Sequence, residues 1–307
     1  MIPFEICFLG TGSALPTLFR NPTSQCITIN NELFLVDCGE GTQIQLRKNK
    51  IRFSKIENIF ISHLHGDHFF GLPGLISSFH LLGRTKKLRI YCPPGLEALT
   101  QHIHEVSDTH LRFPTEFITL RTDKPEEIYT SANCRVFSVP LKHRIPCCGF
   151  VFEEKQRPGN LIPEVLKKHK VPRSRIQAIK SGQDFETSDG TVVPNTEFML
   201  PGPKPRKYSF ISDTAPSKKY QDIIRDSDLL YHEATFPEEM AERASETYHT
   251  TAKQAAEIAR ANGVSKLAIG HFSARFKDVD LLEQEARAIF PETKAIADGD
   301  RISIEIR

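Results

Sequence analysis

Residues 62–68, Ser-His-Leu-His-Gly-Asp-His, concentrate side chains that bind metal ions. Burying several imidazoles and a carboxylate without partners is costly, so such groups persist mainly when they are paired or bound to metal. Imidazole nitrogen and carboxylate oxygen suit zinc, and no cysteine lies in the segment. On a tight loop folded at the glycine, His63 and His65 can face one ion while Asp67 and His68 face another.

A site for two metal ions needs more ligands, and the chain offers three at the ends of predicted strands. These candidates are His143, Asp213 and His271. A lone histidine more often has a structural role, but an α/β fold places its functional site at the carboxyl ends of its strands. We therefore expect all three to join the histidine segment, with the carboxylate of Asp213 able to bridge both ions.

The elements that must position these side chains alternate between strands and helices. The predicted strands of the first half are Ile2–Leu9, Cys26–Asn30, Leu33–Asp37, Ile56–Ser62, Leu88–Cys92 and Cys134–Leu141. Its predicted helices are Thr42–Lys48, Gly71–Leu82 and Gly95–Val106. From Tyr208 onward the predicted elements are strands Tyr208–Ile211, Leu267–Gly270 and Arg301–Arg307 and helices Ser217–Arg225, Ala252–Asn262 and Val279–Ile289. The pattern predicts a layered α/β fold in two halves.

Residues 152–207 interrupt this alternation with prolines and with more basic than acidic side chains. The pattern predicts one short helix, Pro163–His169, and a hairpin across Asp189-Gly190. We interpret the segment as a projecting arm. A run of charge is usually only a solvated surface, so contact with nucleic acid stays one of two interpretations at this point.

The composition is that of a soluble globular protein, with 39% hydrophobic and 25% charged residues in 307, which argues against disorder. A net charge of +2 does not itself indicate nucleic acid, so any basic footprint must be local. No stretch approaches the ~20 apolar residues of a membrane span, and the first residues lack the features of a signal peptide. The seven cysteines form no CxxC pair, which predicts reduced thiols in the cytoplasm.

The histidine segment, together with the three strand-end candidates, resembles the metallo-β-lactamase superfamily. Over almost its full length the chain resembles the short form of the ribonuclease Z family. The supporting motifs are residues 8–12 (FLGTG), 37–43 (DCGEGTQ), 71–75 (GLPGL), 232–235 (HEAT), 249–251 (HTT) and 271–275 (HFSAR). The histidine segment marks only the superfamily, whereas the last three motifs and the arm are specific to its tRNA-processing branch.

This resemblance implies an αββα sandwich, with two mixed sheets between helical layers and an inserted projecting arm. The implied limits are 1–151 for the first half of the domain, 152–207 for the arm and 208–307 for the second half. The implied activity is a zinc-dependent endoribonuclease that removes the 3′ trailer from precursor tRNA, leaving a 3′-hydroxyl on the tRNA and a 5′-phosphate on the trailer. The resemblance also implies a homodimer in which one subunit's arm presents the tRNA to its partner's zinc site.

The resemblance further divides the ligands between two zinc ions per subunit. The first zinc would be held by His63, His65, His143 and Asp213. The second would be held by Asp67, His68, Asp213 and His271.

Catalytic roles also follow from the resemblance. Asp67 would hold the nucleophile and accept its proton, while Glu233 orients His249 as general acid for the departing 3′-oxygen. On its own, Glu233 would more often cap a helix. The candidate substrate-binding residues are Arg20, Asn21, Ser273, Arg275, Arg173, Arg175 and Lys180. Ser273 and Arg275 offer a hydroxyl and a guanidinium for the phosphate at the cut, although a surface salt bridge is the plainer alternative.

Three other functions compete with this hypothesis. Another hydrolase of the same fold, acting on a small phosphodiester, sulfate ester or thioester, would share the ligands but have no use for a basic arm. A redox protein with a di-iron centre normally needs a flavin module, and no further domain is predicted. A non-catalytic RNA-binding scaffold would tolerate degenerate ligands, yet every ligand position is intact.

Overall fold

The computed structural model describes residues 3–306, so Met1, Ile2 and Arg307, into which the first and last predicted strands extend, lie outside the described residues. The chain forms two compact units. Of the described residues, the larger unit comprises 3–153 and 206–305, and the smaller comprises 154–205 with Ile306.

The structure contains eighteen strands within the described residues. They are β1 (Phe4–Gly10), β2 (Gly12–Ser13), β3 (Ser24–Ile29), β4 (Glu32–Val36), β5 (Ile56–Phe60), β6 (Leu88–Cys92), β7 (Thr115–Thr119), β8 (Glu126–Thr130), β9 (Cys134–Pro140), β10 (Cys148–Glu154), β11 (Phe185–Glu186), β12 (Val192–Val193), β13 (Lys207–Ile211), β14 (Leu229–Glu233), β15 (Leu267–Gly270), β16 (Phe272–Ser273), β17 (Thr293–Ala295) and β18 (Arg301–Ser303).

The α-helices alternate with these strands in the larger unit. They are α1 (Thr42–Lys48), α2 (Gly66–Phe69), α3 (Leu72–Leu81), α4 (Leu96–Val106), α5 (Pro163–Lys168), α6 (Arg173–Lys180), α7 (Asn195–Phe198), α8 (Gln221–Ile224), α9 (Ala241–Glu246), α10 (Ala252–Ala261) and α11 (Asp280–Ile289). Short 3-10 turns cover Phe53–Lys55 and Glu238–Met240. Among the residues described, none of these helices has the length and apolar character required to cross a bilayer.

Two seven-stranded mixed sheets form the centre of the larger unit, in the orders β18-β1-β3-β4-β5-β6-β7 and β17-β15-β14-β13-β10-β9-β8. In the first sheet β4 to β7 run parallel, and β18, β1, β3 and β4 alternate in direction. In the second sheet β13, β14, β15 and β17 run parallel. Each sheet therefore has a parallel half in which several strands end at the same edge, as a shared site requires.

Aromatic side chains of both sheets fill the space between them. Phe34 and Phe60 of the first sheet contact Phe152 of the second, with ring centroids 5.5 and 5.6 Å apart. Separate apolar clusters cover the outer faces: α3 packs against the first sheet, while α10 and α11 pack against the second. Burial on both faces explains the continuous apolar runs of these strands. The predicted αββα sandwich is confirmed.

The smaller unit has its own apolar cluster, built from Ile179, Phe185, Val193 and Phe198. The hairpin predicted across Asp189-Gly190 is present as the pair β11–β12. The prediction of a single helix is wrong, because the unit contains α5, α6 and α7. Proline is favoured at the first helical turn, where its missing N–H costs nothing, and here a proline begins or directly precedes each of the three helices.

Candidate active site and metal centre

The loops that follow four strands converge to form the candidate site. The histidine segment follows β5, His143 follows β9, Asp213 follows β13 and His271 follows β15. Strands β13, β14 and β15 are parallel neighbours in register, which brings Asp213, Glu233 and His271 to one edge of the second sheet. The structure thus brings together all seven predicted ligands.

The first group of donors comprises His63, His65, His143 and Asp213, whose ligand atoms lie within 4.8 Å of one another. Nδ1 of His65 lies 2.9 Å from Nε2 of His63 and 3.2 Å from Nε2 of His143. Oδ2 of Asp213 lies 3.7 Å from Nε2 of His63 and 3.9 Å from that of His143. Three nitrogens and one oxygen therefore surround one point.

The second group comprises Asp67, His68 and His271. Oδ2 of Asp67 lies 3.4 Å from Nε2 of His68 and 3.6 Å from Nε2 of His271. Oδ1 of Asp213 lies 3.2 Å from both of these nitrogens. Asp213 thus turns one carboxylate oxygen toward each group, as a bridging ligand does.

Two buried nitrogens at the centre indicate that these residues fit metal ions. Nε2 of His68 and Nε2 of His271 are buried, and within the described residues neither forms a hydrogen bond, although Oδ1 of Asp213 lies 3.2 Å from each. A buried polar nitrogen without a partner is costly, and a cation that accepts its lone pair removes that cost. The nitrogen and oxygen donors match the preferences of zinc.

The protonation states of the first group of donors agree with metal binding. Burial lowers the pKa of His63 well below its usual value, and burial also lowers the pKa of His65 and of His143. A neutral imidazole has the free lone pair that a metal requires. Burial alone would raise the pKa of Asp213, but His271, His68 and His63 hold it well below its usual range, so this carboxylate is ionised.

Asp37 holds the histidine segment in place through hydrogen bonds to Ser62 and His68, a role that the sequence analysis missed. Its Oδ2 lies 2.7 Å from Nδ1 of His68, and its Oδ1 accepts the backbone N–H of Ser62 at 2.7 Å. The Nδ1–H donated to Asp37 leaves Nε2 of His68 for the metal. Asp37 adopts a positive φ of 54°, which is unusual for a residue other than glycine. Its place at the end of the predicted strand Leu33–Asp37 was the available signal.

Thr235 fixes the imidazole of His271 in the same way, through a hydrogen bond to Nδ1. Its Oγ1 lies 2.6 Å from Oε2 of Glu233 and 3.1 Å from Nδ1 of His271. The hydroxyl donates to the carboxylate and accepts the Nδ1–H of His271, which leaves Nε2 facing the second group. Thr235 lies in the HEAT motif, but nothing in the sequence indicates which loop it contacts.

Glu233 and His249 form a carboxylate–imidazole pair beside the two groups. Nδ1 of His249 lies 2.9 Å from Oε1 of Glu233, which also accepts the backbone N–H of Thr214 at 2.9 Å. Burial would lower the pKa of His249, but the charge and hydrogen bond of Glu233 outweigh it and raise that pKa to about 9. A protonated His249 with Nδ1 engaged can release a proton from Nε2.

A cavity of about 630 Å³ opens over this centre. Its floor includes His65, Asp67, His143, Asp213 and His249. Its walls include the exposed apolar side chains Leu15 and Phe70 and the polar side chains Arg144 and Tyr248. A substrate in this cavity therefore meets both donor groups and the general-acid candidate at once.

The candidate substrate contacts lie elsewhere. The Arg20 guanidinium lies 3.2 Å from Oγ1 of Thr11 and 4.9 Å from the centre of the Phe272 ring, and Asn21 donates its amide N–H groups to Asp298 at 2.7 and 2.8 Å. These contacts are within the protein and order the loop before β3. Ser273 is half-buried and Arg275 is exposed, both just past His271. Within the described residues, the cavity lining includes none of these four.

The basic candidates of the arm lie on one helix. Arg173, Arg175 and Lys180 are all exposed members of α6. Arg175 also lines a cleft of about 730 Å³ within the smaller unit, together with Lys168 and Lys170. Glu186 and Asp189 line the same cleft, so its three basic side chains are accompanied by two acidic ones.

Curated proteins similar to this chain share one name. A protein of Bacteroides thetaiotaomicron named Ribonuclease Z is 48% identical over 293 residues, which is 95% of this chain and 93% of the relative. A Porphyromonas gingivalis protein of the same name is 44% identical over 306 residues and covers 100% of both chains. A family model described as Anti-Pycsar protein Apyc1 matches residues 4–157, the half of the chain that precedes Asp213, Glu233, His249 and His271.

Solved structures agree with these relatives. The human tRNase Z, short form, superposes with a TM-score of 0.70 at 27% identity, covering 98% of this chain and 100% of the human one. The metallo-beta-lactamase fold protein YhfI of Bacillus subtilis reaches a TM-score of 0.69 at 16% identity over 99% of this chain and 100% of its own, which bears on the fold alone. Because relatives at 44 to 48% identity cover nearly the entire chain, the protein belongs to the ribonuclease Z family.

Proposed function

We propose that this protein is a zinc-dependent endoribonuclease that removes the 3′ trailer from precursor tRNA. The observation that carries the proposal is the carboxylate–imidazole pair Glu233–His249 beside two donor groups joined by Asp213, in a chain of this family. Cleavage leaves a 3′-hydroxyl on the tRNA and a 5′-phosphate on the trailer.

Two zinc ions per subunit fit the donors, one at His63, His65, His143 and Asp213 and one at Asp67, His68, Asp213 and His271. When bound, zinc supplies Lewis-acid stabilisation of the charge that grows on the phosphate oxygens.

Asp67 and His249 carry the two proton transfers. Water attacks phosphorus, and Asp67, whose Oδ2 is fixed by the backbone N–H of Ala14 at 2.8 Å, accepts a proton from it. The bond from phosphorus to the 3′-oxygen breaks, and His249 donates a proton to that oxygen. Glu233 holds the imidazole in position and favours its charged form.

The arm binds the body of the tRNA in this proposal. Arg173, Arg175 and Lys180 of α6 contact phosphates, while Ser273 and Arg275 contact the phosphate near the cut. Phosphate contacts recognise the shape of folded RNA rather than its sequence. The protein acts as a homodimer in a reducing cytoplasm, where its seven cysteines, all free and buried, stay reduced.

The test is cleavage of a precursor-tRNA transcript by the purified protein, with both new ends mapped, beside hydrolysis of bis(p-nitrophenyl) phosphate. We expect one cut with a 5′-phosphate on the trailer, loss of activity after dialysis against a chelator, and recovery with zinc. Hydrolysis of the small diester without any cut in precursor tRNA would instead favour a hydrolase of another phosphodiester.

The dimer is tested separately by light scattering and by subunit mixing. An arm-deleted subunit and a His249→Ala subunit are each expected to be inactive on precursor tRNA. If one subunit's arm serves its partner's site, a mixture of the two regains activity; no recovery in confirmed mixed dimers would contradict this arrangement.

A further inference from the structure

Arg144 is a cationic side chain of the cavity for which the proposed mechanism has no role. It directly follows the ligand candidate His143 in the loop after β9, is exposed, and lines the cavity of about 630 Å³ over the two donor groups. Its guanidinium nitrogen lies 3.2 Å from Nε2 of His65. The charge is thus held beside the place where a phosphate must enter.

The contact between Arg144 and His65 is incompatible with metal binding. Nδ1 of His65 is the nitrogen that faces the donors His63 and His143, at 2.9 and 3.2 Å. A neutral imidazole carries one N–H, so a lone pair on Nδ1 that binds a cation leaves the hydrogen on Nε2. The N–H on Nε2 of His65 then faces an N–H of the Arg144 guanidinium, and two donors cannot form a hydrogen bond with each other. The guanidinium therefore needs a different acceptor.

The protein supplies no evident replacement for that acceptor. Among residues 3–306 no carboxylate pairs with Arg144. Among the carboxylates that line the cavity, Glu246 pairs with Arg243 at 3.1 Å, and Glu40 forms no ion pair with Arg144 in the part of the chain that the structure describes. Asp67 and Asp213 belong to the donor groups. A phosphate that enters this cavity offers such an acceptor, because its oxygens match the forked donors of a guanidinium.

We propose that Arg144 binds a non-bridging oxygen of the phosphate being cut, leaving His65 when metal occupies the site. The proposal rests on the proposed function only for the class of substrate, a phosphodiester. It assigns Arg144 to the scissile phosphate rather than to a distant one, because the guanidinium lies against a candidate metal ligand. A small diester that contains only this phosphate therefore needs Arg144 as much as precursor tRNA does.

The experiment compares Arg144→Ala and Arg144→Lys with Arg121→Ala, which removes an exposed arginine that pairs with Asp123. Zinc-loaded proteins are assayed on bis(p-nitrophenyl) phosphate and on precursor tRNA, and their affinity for inorganic phosphate and their zinc content are measured. We expect Arg144→Ala to lose about 10- to 100-fold in kcat/KM on both substrates, with weaker phosphate binding and unchanged zinc. Arg144→Lys should recover part of the lost kcat/KM. Added guanidinium ion should raise the kcat/KM of Arg144→Ala but not that of the parent protein.

Two results would overturn the assignment. Unchanged kcat/KM and unchanged phosphate affinity in Arg144→Ala would show that the guanidinium does not touch the phosphate. Zinc loss that accounts for the whole loss of activity would show that Arg144 only supports His65. If the parent protein hydrolyses the small diester but leaves precursor tRNA intact, the proposed function fails while the role of Arg144 is still decided on the small diester.

Discussion

The proton carried by His249 sets an alkaline limit on the proposed reaction. Glu233, 2.9 Å away, outweighs the effect of burial and raises the pKa of His249 to about 9. A general acid works only while it is protonated, so kcat/KM for precursor tRNA should fall about tenfold per pH unit above that pKa. Glu233→Gln removes the charge that raises the pKa, and the fall should then begin at a lower pH.

The choice of substrate provides the control for this pH profile. Bis(p-nitrophenyl) phosphate releases a stable phenolate that needs no proton, so its profile should lack the alkaline fall. His249→Ala should lower turnover of precursor tRNA about 10²- to 10⁴-fold and leave the zinc content unchanged. An alkaline fall that persists in His249→Ala would assign the titration to another group.

Individual residues differ in how far the sequence identifies them. The seven ligand candidates could be predicted because several imidazoles and carboxylates at strand ends have few other uses. Asp37, Thr235 and Arg144 could not, because each acts through a partner on a different loop, and only the packing of the two sheets determines which loops meet. For Arg20 and Asn21 the sequence suggests polar groups that could bind substrate, whereas in the structure these side chains form hydrogen bonds within the protein.

At the scale of elements, one carboxylate connects the ends of two strands of the first sheet. Asp37 follows β4 and binds Ser62 and His68 after the neighbouring strand β5. Asp37→Asn replaces an acceptor by an amide, so Nδ1 of His68 loses its fixed partner. We expect about 10- to 100-fold weaker zinc binding, measured by competition with a chelator.

A second loop-connecting carboxylate gives the matched control. Asp298 accepts hydrogen bonds from Thr11 and from Asn21 but has no contact with the donor groups among the described residues. Asp298→Asn should disturb its own loops while zinc affinity stays at the parent value. Equal zinc affinity in a folded Asp37→Asn protein would remove Asp37 from the support of the metal centre.

Several buried elements have the bounds that the sequence predicts, although the buried strands β10 and β14 were not predicted. Helix α1 and strands β6 and β15 have the predicted bounds because apolar periodicity and length mark them clearly. Strands β7 and β8 are edge strands without a fully buried side chain, and their polar residues do not produce an apolar pattern that a sequence analysis can recognise. The arm's helices were missed because its prolines indicate interruption, whereas here they begin helices.

At the scale of the whole molecule, the two compact units suggest a division between chemistry and substrate binding. All seven ligand candidates and the pair Glu233–His249 lie in the larger unit, whereas α6 with its exposed basic side chains lies in the smaller one. The smaller unit also has an apolar cluster of its own, so removing it leaves the cores between and outside the two sheets unchanged. We therefore expect the two roles to be separable by deletion.

The deletion can follow the register of the second sheet. Glu153 of β10 and Lys207 of β13 are antiparallel partners, so Glu154 and Arg206 can be joined by the two-residue turn Asn-Gly after removal of residues 155–205. A second variant keeps the arm but carries the substitutions Arg173→Glu, Arg175→Glu and Lys180→Glu. These reverse the charge of the three basic side chains of α6 without removing the smaller unit. Both variants keep every proposed ligand.

Both variants should hydrolyse bis(p-nitrophenyl) phosphate within about twofold of the parent, because the groups proposed to contact that substrate, the metal centre and Arg144, all lie in the larger unit. On precursor tRNA the deletion should lower kcat/KM at least about 100-fold, since phosphate contacts supply most of the affinity for nucleic acid. The charge-reversed variant should bind precursor tRNA more weakly and with a shallower dependence of log affinity on log salt. If the deletion abolishes hydrolysis of both substrates while zinc stays bound, the arm supports the fold of the site rather than the tRNA. If neither variant loses activity on precursor tRNA, the phosphates are bound by the larger unit.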